Sequence, residues 1–399
     1  MIHHALSYAD WSGAEYAAAA GCVLRGRVAD GPQPALLAAE LAARYAPSAA
    51  FPVNYGHTAL AIALDLFRAR APERTEVLVP AYICPSVVQT VTAAGLRPVA
   101  VDVGADLNLL PEAVAAALGP ATLAVVAPHM YGCPAQIGAI EALCRQAGVF
   151  LVDDAAQVVG ETSDGRLLGT FGDVGLISFA QSKAVVTGVR GSGGVLLVNR
   201  PEWVDAARAA CAALPAPRGR LRAFVYFVWN YLWARHTGKS GYYLSRLGDR
   251  LGVPAPAPEA RARISNLEAA LARVQLRRLP ALRAARIRVA EQYQAALGGA
   301  GFTQYAPGRA LSRIMLTLPP GVALAPFRAA LLGAGVATRL GYTVPVDPDH
   351  PHAGSAALAQ RLFGLPFAAR LQEREINDIC SIVSKTMAQA APQFGKANT

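Results

Sequence analysis

Short, almost uninterrupted apolar runs recur between residues 56 and 200, and helical segments separate them. Such runs are typical of strands that are covered on both faces, because a strand with one face in water alternates apolar and polar positions. The pattern predicts six buried strands: Glu76–Pro80, Pro98–Val103, Thr122–Pro128, Val149–Asp153, Val174–Phe179 and Gly194–Val198. Helices at Pro111–Leu118 and Ala135–Ala147 lie between them. This alternation predicts an α/β fold with a mostly parallel, doubly wound sheet.

The second half of the chain has a different pattern. Apolar positions at near-helical spacing predict one long helix from Ile264 to about Leu297. The elements beyond it predict a smaller α+β domain, with a strand at Ser312–Leu318, a helix at Pro326–Ala334 and a closing helix near Glu373–Met387. We therefore expect two domains. Residues 1–250 form the large domain, with an N-terminal helical segment and an aromatic-rich insertion near 201–260, and residues 251–399 form the second, which ends in a disordered tail.

Composition narrows the class of protein. The 399 residues are 53% hydrophobic and 16% charged, and the formal net charge is +10. The arginines are scattered rather than grouped with aromatic residues, which argues against nucleic-acid binding. The six cysteines form no C-x-x-C pair, and Asp10 and Glu15 interrupt any N-terminal apolar run, so we expect a reduced, cytoplasmic protein. His350 and His352 have no third ligand at a suitable spacing, so no metal site is expected.

Charged residues directly after two of the predicted strands point to a chemistry. Asp153 and Asp154 end the strand in F-L-V-D-D-A-A-Q, and Lys183 follows the strand in V-G-L-I-S-F-A-Q-S-K. Ligands of such sheets bind beyond the carboxyl ends of the strands. A lysine and a carboxylate there suit pyridoxal phosphate, because the lysine forms a Schiff base and the carboxylate keeps the pyridinium nitrogen protonated. We assign the carboxylate role to Asp154, expect Asp153 to be structural, and expect Gln157 to donate to the ring hydroxyl.

Each motif also has a simpler interpretation. A carboxylate at a strand end often caps the next turn, and a lysine after a strand is often a solvated loop residue. Lys183, however, lies in a nearly uncharged stretch before the glycine-rich segment 187–194, and a desolvated lysine is nucleophilic near neutral pH. Gly56–Leu60 opens a predicted helix, where free amides bind phosphate, although many helices begin in this way. Only the combination of the three motifs is specific.

In this order along one βαβ series, the motifs resemble those of the fold-type I pyridoxal phosphate enzymes and, more narrowly, of the DegT/StrS-type sugar aminotransferases. The resemblance covers residues 15–385. The family signature G-x-x-G-D-x-x-x-x-S-F-x-x-x-K matches Gly169 to Lys183 residue for residue. Other family segments match Gly56–Leu60, Pro80–Ser86 (loosely), His129–Gly132, Asp153–Gln157, Arg263–Leu276 and, in part, Phe363–Pro366.

The resemblance implies a homodimeric aminotransferase whose active sites borrow residues from the partner subunit. Members usually move an amino group from glutamate to a keto group of a nucleotide-linked sugar. By this resemblance, Lys183 would carry the cofactor as a Schiff base and move a proton, and Asp154 would pair with the ring nitrogen. Further cofactor contacts would come from Gln157 at the ring oxygen and from Gly56, His57, Thr58 and Ser178 at the phosphate.

Four positions depart from the family pattern, and one of them is Ala180, where the family often has histidine. Cys84 stands where an aromatic residue often stacks on the cofactor, which makes Tyr82 an alternative stacking residue. Arg261 replaces an asparagine that comes from the partner subunit, and an arginine can still bind the phosphate. Gly341-Tyr342 replaces a His-Tyr pair that lines the sugar pocket. The cofactor half is therefore intact and the substrate half altered, and Tyr342 and Arg190 are the candidate substrate-binding residues.

The aromatic block Phe224–Trp233 has two interpretations. It is a helix that packs on the core or on a dimer partner, or it rims an apolar substrate site or contacts a membrane surface. The apolar run Ala223–Trp233 is too short for a membrane span, which needs roughly 20 residues.

Other functions remain open on the same scaffold. The chain could be a pyridoxal phosphate enzyme of secondary metabolism that acts on a non-sugar substrate, an enzyme that catalyses another reaction with this cofactor, or a non-catalytic regulatory homologue. The family's sugar dehydratases carry histidine in place of the lysine, so Lys183 argues against that reaction. The intact pair of Asp154 and Lys183 argues against a non-catalytic role.

Overall fold

The chain forms two main sheets surrounded by helices. The computed structural model describes residues 4–6, 9–181, 183–188, 192–233, 247, 250, 260–305, 308–343, 346 and 352–390. The helices described are α1 (Gly13–Leu24), α2 (Gln33–Arg44), α3 (Gly56–Arg68), α4 (Pro85–Ala93), α5 (Pro111–Ala117), α6 (Ile137–Ala147), α7 (Val204–Ala212), α8 (Arg220–Phe227), α9 (Asn266–Leu297), α10 (Leu324–Gly333), α11 (Ala353–Ala359) and α12 (Glu373–Ala390). The strands described are β1 (Ala49–Val53), β2 (Glu76–Pro80), β3 (Arg97–Val101), β4 (Thr122–Pro128), β5 (Phe150–Asp154), β6 (Thr162–Ser163), β7 (Arg166–Leu167), β8 (Val174–Ser178), β9 (Gly194–Val198), β10 (Thr303–Gln304), β11 (Met315–Thr317), β12 (Arg339–Leu340) and β13 (Leu362–Gly364).

The large sheet has seven strands in the order β1-β9-β8-β5-β4-β2-β3. Within this sheet the neighbouring strands β8, β5, β4, β2 and β3 all pair in parallel. Strand β9 is antiparallel to both of its neighbours, β1 and β8. Strands β4, β8 and β9 are buried along their whole length, which explains their uninterrupted apolar runs. The predicted fold class and all six predicted strands are confirmed.

The edge strand β1 is not among the predicted strands. Its sequence A-A-F-P-V contains Pro52, and a proline usually argues against a strand because it cannot donate to a neighbour. Proline is tolerated on edge strands, and β1 lies at the edge of the sheet, where β9 is the one strand that pairs with it and Val53 adds an isolated bridge to Arg263.

The long helix α9 links the large sheet to a four-stranded antiparallel sheet of order β10-β11-β13-β12. It begins with a capping box, in which Ser265 N–H donates to Glu268 Oε2 (2.9 Å) and Glu268 N–H donates to Ser265 Oγ (3.2 Å). Its first half packs in the cores beside the large sheet, and its second half packs in the core of the small sheet. The domain boundary expected near residue 250 falls where the structure describes only Leu247 and Arg250, so it stays a prediction.

The aromatic block begins in α8 and continues as a π-helical segment, Val228–Trp233. Its inner side packs in a core cluster, which confirms the packing interpretation for Ala223 and Phe227. Leu221, Val225 and Trp229 on the same segment are exposed. None of the helices in the described part of the chain is long and apolar enough to span a membrane.

A buried carboxylate joins the carboxyl ends of β4 and β5 to the turn that leads into β8. Asp153 Oδ2 accepts hydrogen bonds from the amides of Gly169 (2.6 Å) and Phe171 (3.0 Å). His129 Nε2 donates to Asp153 Oδ1 (2.7 Å), since its Nδ1 accepts from the amide of Ala135. Asp153 therefore bonds to the segment after β4 and to the turn before β8. This turn is the glycine-rich start of the family signature, which begins at Gly169.

Gly175 in β8 should tolerate no side chain, because a Cβ there would collide with the carbonyl oxygen of Gly169. We expect Gly175→Ala to lower the free energy of unfolding by about 3 kcal/mol. The matched control is Gly138→Ala in α6, where a Cβ meets nothing within 4 Å and should stabilise the helix by up to about 1 kcal/mol. Urea unfolding compares the two variants, and equal midpoints would contradict the clash.

Candidate active site

A cavity of about 180 Å³ lies where β2, β4, β5 and β8 end and α3 begins. Eight of the residues selected from the sequence line it: Gly56, His57, Cys84, Asp154, Gln157, Ser178, Lys183 and Tyr342. These residues come from segments that are far apart in the chain. The position agrees with the general rule that open α/β sheets bind ligands beyond the carboxyl ends of their strands.

The start of α3 can bind an anion. Its first backbone bond runs from Thr58 N–H to the Tyr55 carbonyl oxygen (3.1 Å), so the amides of Gly56 and His57 precede the bonded part of the helix. A Cβ on Gly56 would lie 3.3 Å from Ser178 Cβ, so glycine is what lets the helix start approach this serine. The two amides and the Ser178 hydroxyl therefore border the same end of the cavity.

Thr58 has a different position from the one expected. It is fully buried and does not line the cavity. Its hydroxyl donates to Asn54 Oδ1 (2.8 Å), its amide donates to Tyr55, and Asn54 Nδ2 donates to the carbonyl oxygen of Ala260 (2.8 Å). Both donors of Thr58 are engaged inside the protein, so this residue holds the helix start in place instead of supplying an amide to the ligand.

Asp154 points into the cavity because successive side chains of a strand face opposite sides of the sheet. Its neighbour Asp153 bonds to the turn before β8, whereas Asp154 Oδ1 accepts from the amide of Ala156 (3.0 Å). Burial raises the pKa of the Asp154 carboxyl, and the positive charge of Lys183 acts in the opposite direction. A buried carboxylate in this position favours a cationic partner in the cavity.

Lys183 follows β8, the parallel neighbour of β5, and also lines the cavity. Burial lowers the pKa of its amine to about 8, and the positive charge of Arg313 lowers it as well. Cys84 and Asp154 act in the other direction. An amine with this pKa is about one-tenth neutral at pH 7, far more than an exposed lysine, so it is the better nucleophile there.

Side chains of α9 hold the segment that carries Lys183. Val186 N–H donates to Gln275 Oε1 (3.0 Å). Arg286 Nη2 donates to the carbonyl oxygen of Lys183 (3.3 Å) and forms a buried ion pair with Asp10 (2.8 Å). The long helix therefore positions the lysine from behind, on the side away from the cavity residues.

Three tyrosines form a cluster beside the cavity. The hydroxyls of Tyr82 and Tyr131 are 2.6 Å apart, and Tyr342 N–H donates to the Tyr82 hydroxyl (3.0 Å). The rings of Tyr131 and Tyr342 stack with centroids 5.9 Å apart. Tyr342 lines the cavity together with Cys84, whereas Tyr82 does not. Tyr82 therefore supports the backbone of Tyr342 and lies outside the lining of the cavity.

Arg261 also lies outside the cavity lining. It forms an ion pair with Asp65 (3.4 Å). Burial of His57 lowers the pKa of this histidine, and the positive charge of Arg261 lowers it further. Two residues considered in the sequence analysis, Arg190 and His350, lie outside the described residues.

The sequence analysis missed Arg313. Its guanidinium carbon lies 5.8 Å from the ring centroid of Tyr131 and 6.0 Å from that of Tyr342. Among neighbouring charges it has the largest effect on the pKa of Lys183. A signal was present, because Arg313 is the only charged residue in the apolar segment S-R-I-M-L-T-L that predicted a strand.

Comparisons with known proteins agree with this geometry. A model of the DegT/DnrJ/EryC1/StrS aminotransferase family matches residues 12–384. The aminotransferase TlmJ from Streptoalloteichus hindustanus is 26% identical, with 97% of this chain and 99% of that chain covered and a TM-score of 0.77. PseC from Helicobacter pylori, an aminotransferase involved in the biosynthesis of pseudoaminic acid, is 16% identical, with 97% and 100% covered and a TM-score of 0.78.

A third similar structure contains the cofactor that the residues suggest. It is the GDP-4-keto-6-deoxy-D-mannose-3-dehydratase of E. coli with bound hydrated pyridoxal phosphate, 18% identical, with 96% of this chain and 100% of that chain covered and a TM-score of 0.75. The family model spans nearly the whole chain, and its signature residues meet in one cavity. The chain therefore belongs to the DegT/DnrJ/EryC1/StrS aminotransferase family and is a pyridoxal phosphate-dependent aminotransferase.

Proposed function

We propose that this aminotransferase moves the amino group of L-glutamate to a keto group of a nucleotide-linked sugar or of a related biosynthetic intermediate. The meeting of Lys183 and Asp154 in one cavity carries the proposal, because transamination needs an amine and a carboxylate on two sides of the cofactor. The similarity to PseC, which acts in the biosynthesis of pseudoaminic acid, supports a sugar acceptor.

The residues present fit pyridoxal phosphate. The amides of Gly56 and His57 and the Ser178 hydroxyl suit the phosphate, and the absence of a Cβ on Gly56 lets the helix start approach this serine closely. The buried carboxylate of Asp154 suits the ring nitrogen, and the amine of Lys183 suits the aldehyde. When bound, the cofactor supplies an electron sink for the carbon that loses or gains the amino group.

Each residue then has a distinct task. Lys183 would hold the cofactor through its amine and move a proton at the substrate carbon, for which its lowered pKa is suited. Asp154 would keep the ring nitrogen protonated. Ser312 Oγ donates to Gln157 Oε1 (3.0 Å), and Gln157 Nε2 donates to Met130 Sδ (3.5 Å), so the second N–H of this NH₂ group would donate to the ring oxygen. Tyr342 and Cys84 would form the wall against the ring, and Arg190 would contact the substrate.

We further propose a cytoplasmic homodimer with shared active sites. All six cysteines are unpaired, which supports a reducing compartment. Arg261 is partly exposed beside His57, where it would be available to the phosphate site of a partner subunit. Sedimentation of the purified protein should give the mass of two chains, and a monomeric mass at micromolar concentration would contradict this arrangement.

The absorbance spectrum of the purified protein tests the amino donor. We expect a yellow band from the bound cofactor that moves to shorter wavelength when L-glutamate is added, because the amino group passes to the cofactor. A yellow band that L-glutamate leaves in place would exclude glutamate as the donor. A protein that cannot be loaded with pyridoxal phosphate would contradict the cofactor site itself.

Two variants assign the roles in the same measurement. Lys183→Ala should show no shift with L-glutamate, since it has no amine to move the proton. Asp154→Asn should bind the cofactor but convert it on the order of 100-fold more slowly, because the ring nitrogen loses its charge partner. A normal rate in Asp154→Asn would remove that role from Asp154.

The pKa of Lys183 predicts how fast apoprotein takes up pyridoxal phosphate at different pH. Only the neutral amine attacks the aldehyde, so the rate should rise with pH and reach half its maximum near pH 8, whereas an exposed lysine titrates near about 10.4. Arg313→Gln should move the midpoint to higher pH, because the cation that disfavours the protonated amine is gone. Arg361→Gln removes a guanidinium from the same sheet, where it bonds to Leu318, and should leave the midpoint unchanged.

A further inference from the structure

Arg313 reaches the active site from the small sheet. It directly follows Ser312, whose hydroxyl donates to Gln157 Oε1 (3.0 Å) and whose amide donates to the carbonyl oxygen of Tyr131 (2.9 Å). Gln157 lines the cavity. These two bonds fix the segment before β11 against the cavity, so that Arg313 lies at its edge.

The surroundings of Arg313 contain no anion among the described residues. Its guanidinium lies near the rings of Tyr131 and Tyr342, and its Nε is sealed from solvent and has no hydrogen-bond partner. The ionisable groups that act on its charge are Tyr82, Tyr131, Tyr342 and Cys84. Burial raises the pKa of all three tyrosines, so none of them supplies a negative charge at neutral pH.

Two other buried arginines of the chain show the contrast. Arg286 pairs with Asp10 at 2.8 Å, and Arg220 lies 3.6 Å from Glu268. A buried cation without a carboxylate is costly, because it has lost water and gained no opposite charge. Such a cation is retained where a ligand supplies the anion.

The reaction identifies the anion. An amino-acid donor carries a carboxylate on the same carbon as the amine that it gives up, so this carboxylate must lie close to Lys183. The diphosphate of a nucleotide-linked sugar is separated from the reacting carbon by part of the sugar. The ring faces of Tyr131 and Tyr342 also favour a guanidinium held in one orientation, as bidentate binding of a carboxylate requires.

We propose that Arg313 binds the α-carboxylate of the amino donor and thereby selects an amino acid over a simple amine as the source of nitrogen. This inference rests on the proposed transamination and adds a specificity-determining residue to it. Tyr131 and Tyr342 position the guanidinium, and the bond between Ser312 and Gln157 keeps it at the cavity edge.

The test compares L-glutamate, its α-amide and its γ-amide, L-glutamine, as donors to the cofactor-loaded protein. In Arg313→Gln, the apparent Kd for L-glutamate from the spectral titration should rise by about 10- to 100-fold, as expected when a charge-assisted hydrogen bond is lost. The preference for L-glutamate over the α-amide should collapse, whereas the preference over L-glutamine should stay. Arg313→Lys should recover part of the loss, and Arg361→Gln should behave as the unaltered protein.

Two results of these titrations would overturn the inference. An unchanged preference over the α-amide in Arg313→Gln would show that Arg313 does not contact that carboxylate. A collapse of the preference over L-glutamine instead would assign Arg313 to the side-chain carboxylate of the donor.

A calorimetric titration separates this inference from the proposed donor. Glutarate has both carboxylates of glutamate but no amine, so it binds without reaction. If L-glutamate does not shift the spectrum of the unaltered protein, the donor assignment fails, and glutarate then decides the role of Arg313. Weaker binding to Arg313→Gln than to Arg361→Gln would support a carboxylate site at Arg313. Equal binding, or no binding to either, would overturn it.

Discussion

The buried carboxylate of Asp153 is the interaction on which the active site depends. It accepts hydrogen bonds from His129 after β4 and from two amides of the turn before β8, so it ties the ends of β4 and β5 to the turn that leads into β8. Adjacent residues of a strand point to opposite faces, and fixing Asp153 on one face therefore directs Asp154 into the cavity. The two adjacent acids have separate tasks for this reason. One holds the sheet edge together, and the other faces the ligand.

The charges around the cavity are unequal, and the imbalance suits anionic ligands. Asp154 is the single carboxylate among the described residues that line it, whereas Lys183 lies in the lining and Arg313 at its edge. Burial lowers the pKa of Lys183, and the charge of Arg313 adds to this effect, so the protonated amine is less favoured here than in water. The imbalance is left for ligands, with the start of α3 suited to a phosphate and Arg313 to a carboxylate.

The sequence predicted features that depend on neighbouring residues in the chain and missed those that depend on packing. The apolar runs of β4, β8 and β9 follow from burial on both faces, so they were recognisable, whereas Pro52 concealed β1. Asp154 ends β5 and Lys183 follows β8, so both were identified by position. No local pattern could show that Thr58 is engaged by Asn54, that Tyr82 supports the backbone of Tyr342, or that Arg313 reaches the cavity from another sheet.

The division between the two sheets explains how the substrate half can change while the cofactor half stays intact. Asp153 and the residues that suit the cofactor belong to the large sheet and its loops. Arg313 and Tyr342 come from the segments around the small sheet, and neither bonds to Asp153 or to its partners in the described part of the chain. Contacts such as that between Ser312 and Gln157 bring the two halves together. Substitutions on the small sheet can therefore alter which donor or acceptor is bound without disturbing the turn that directs Asp154.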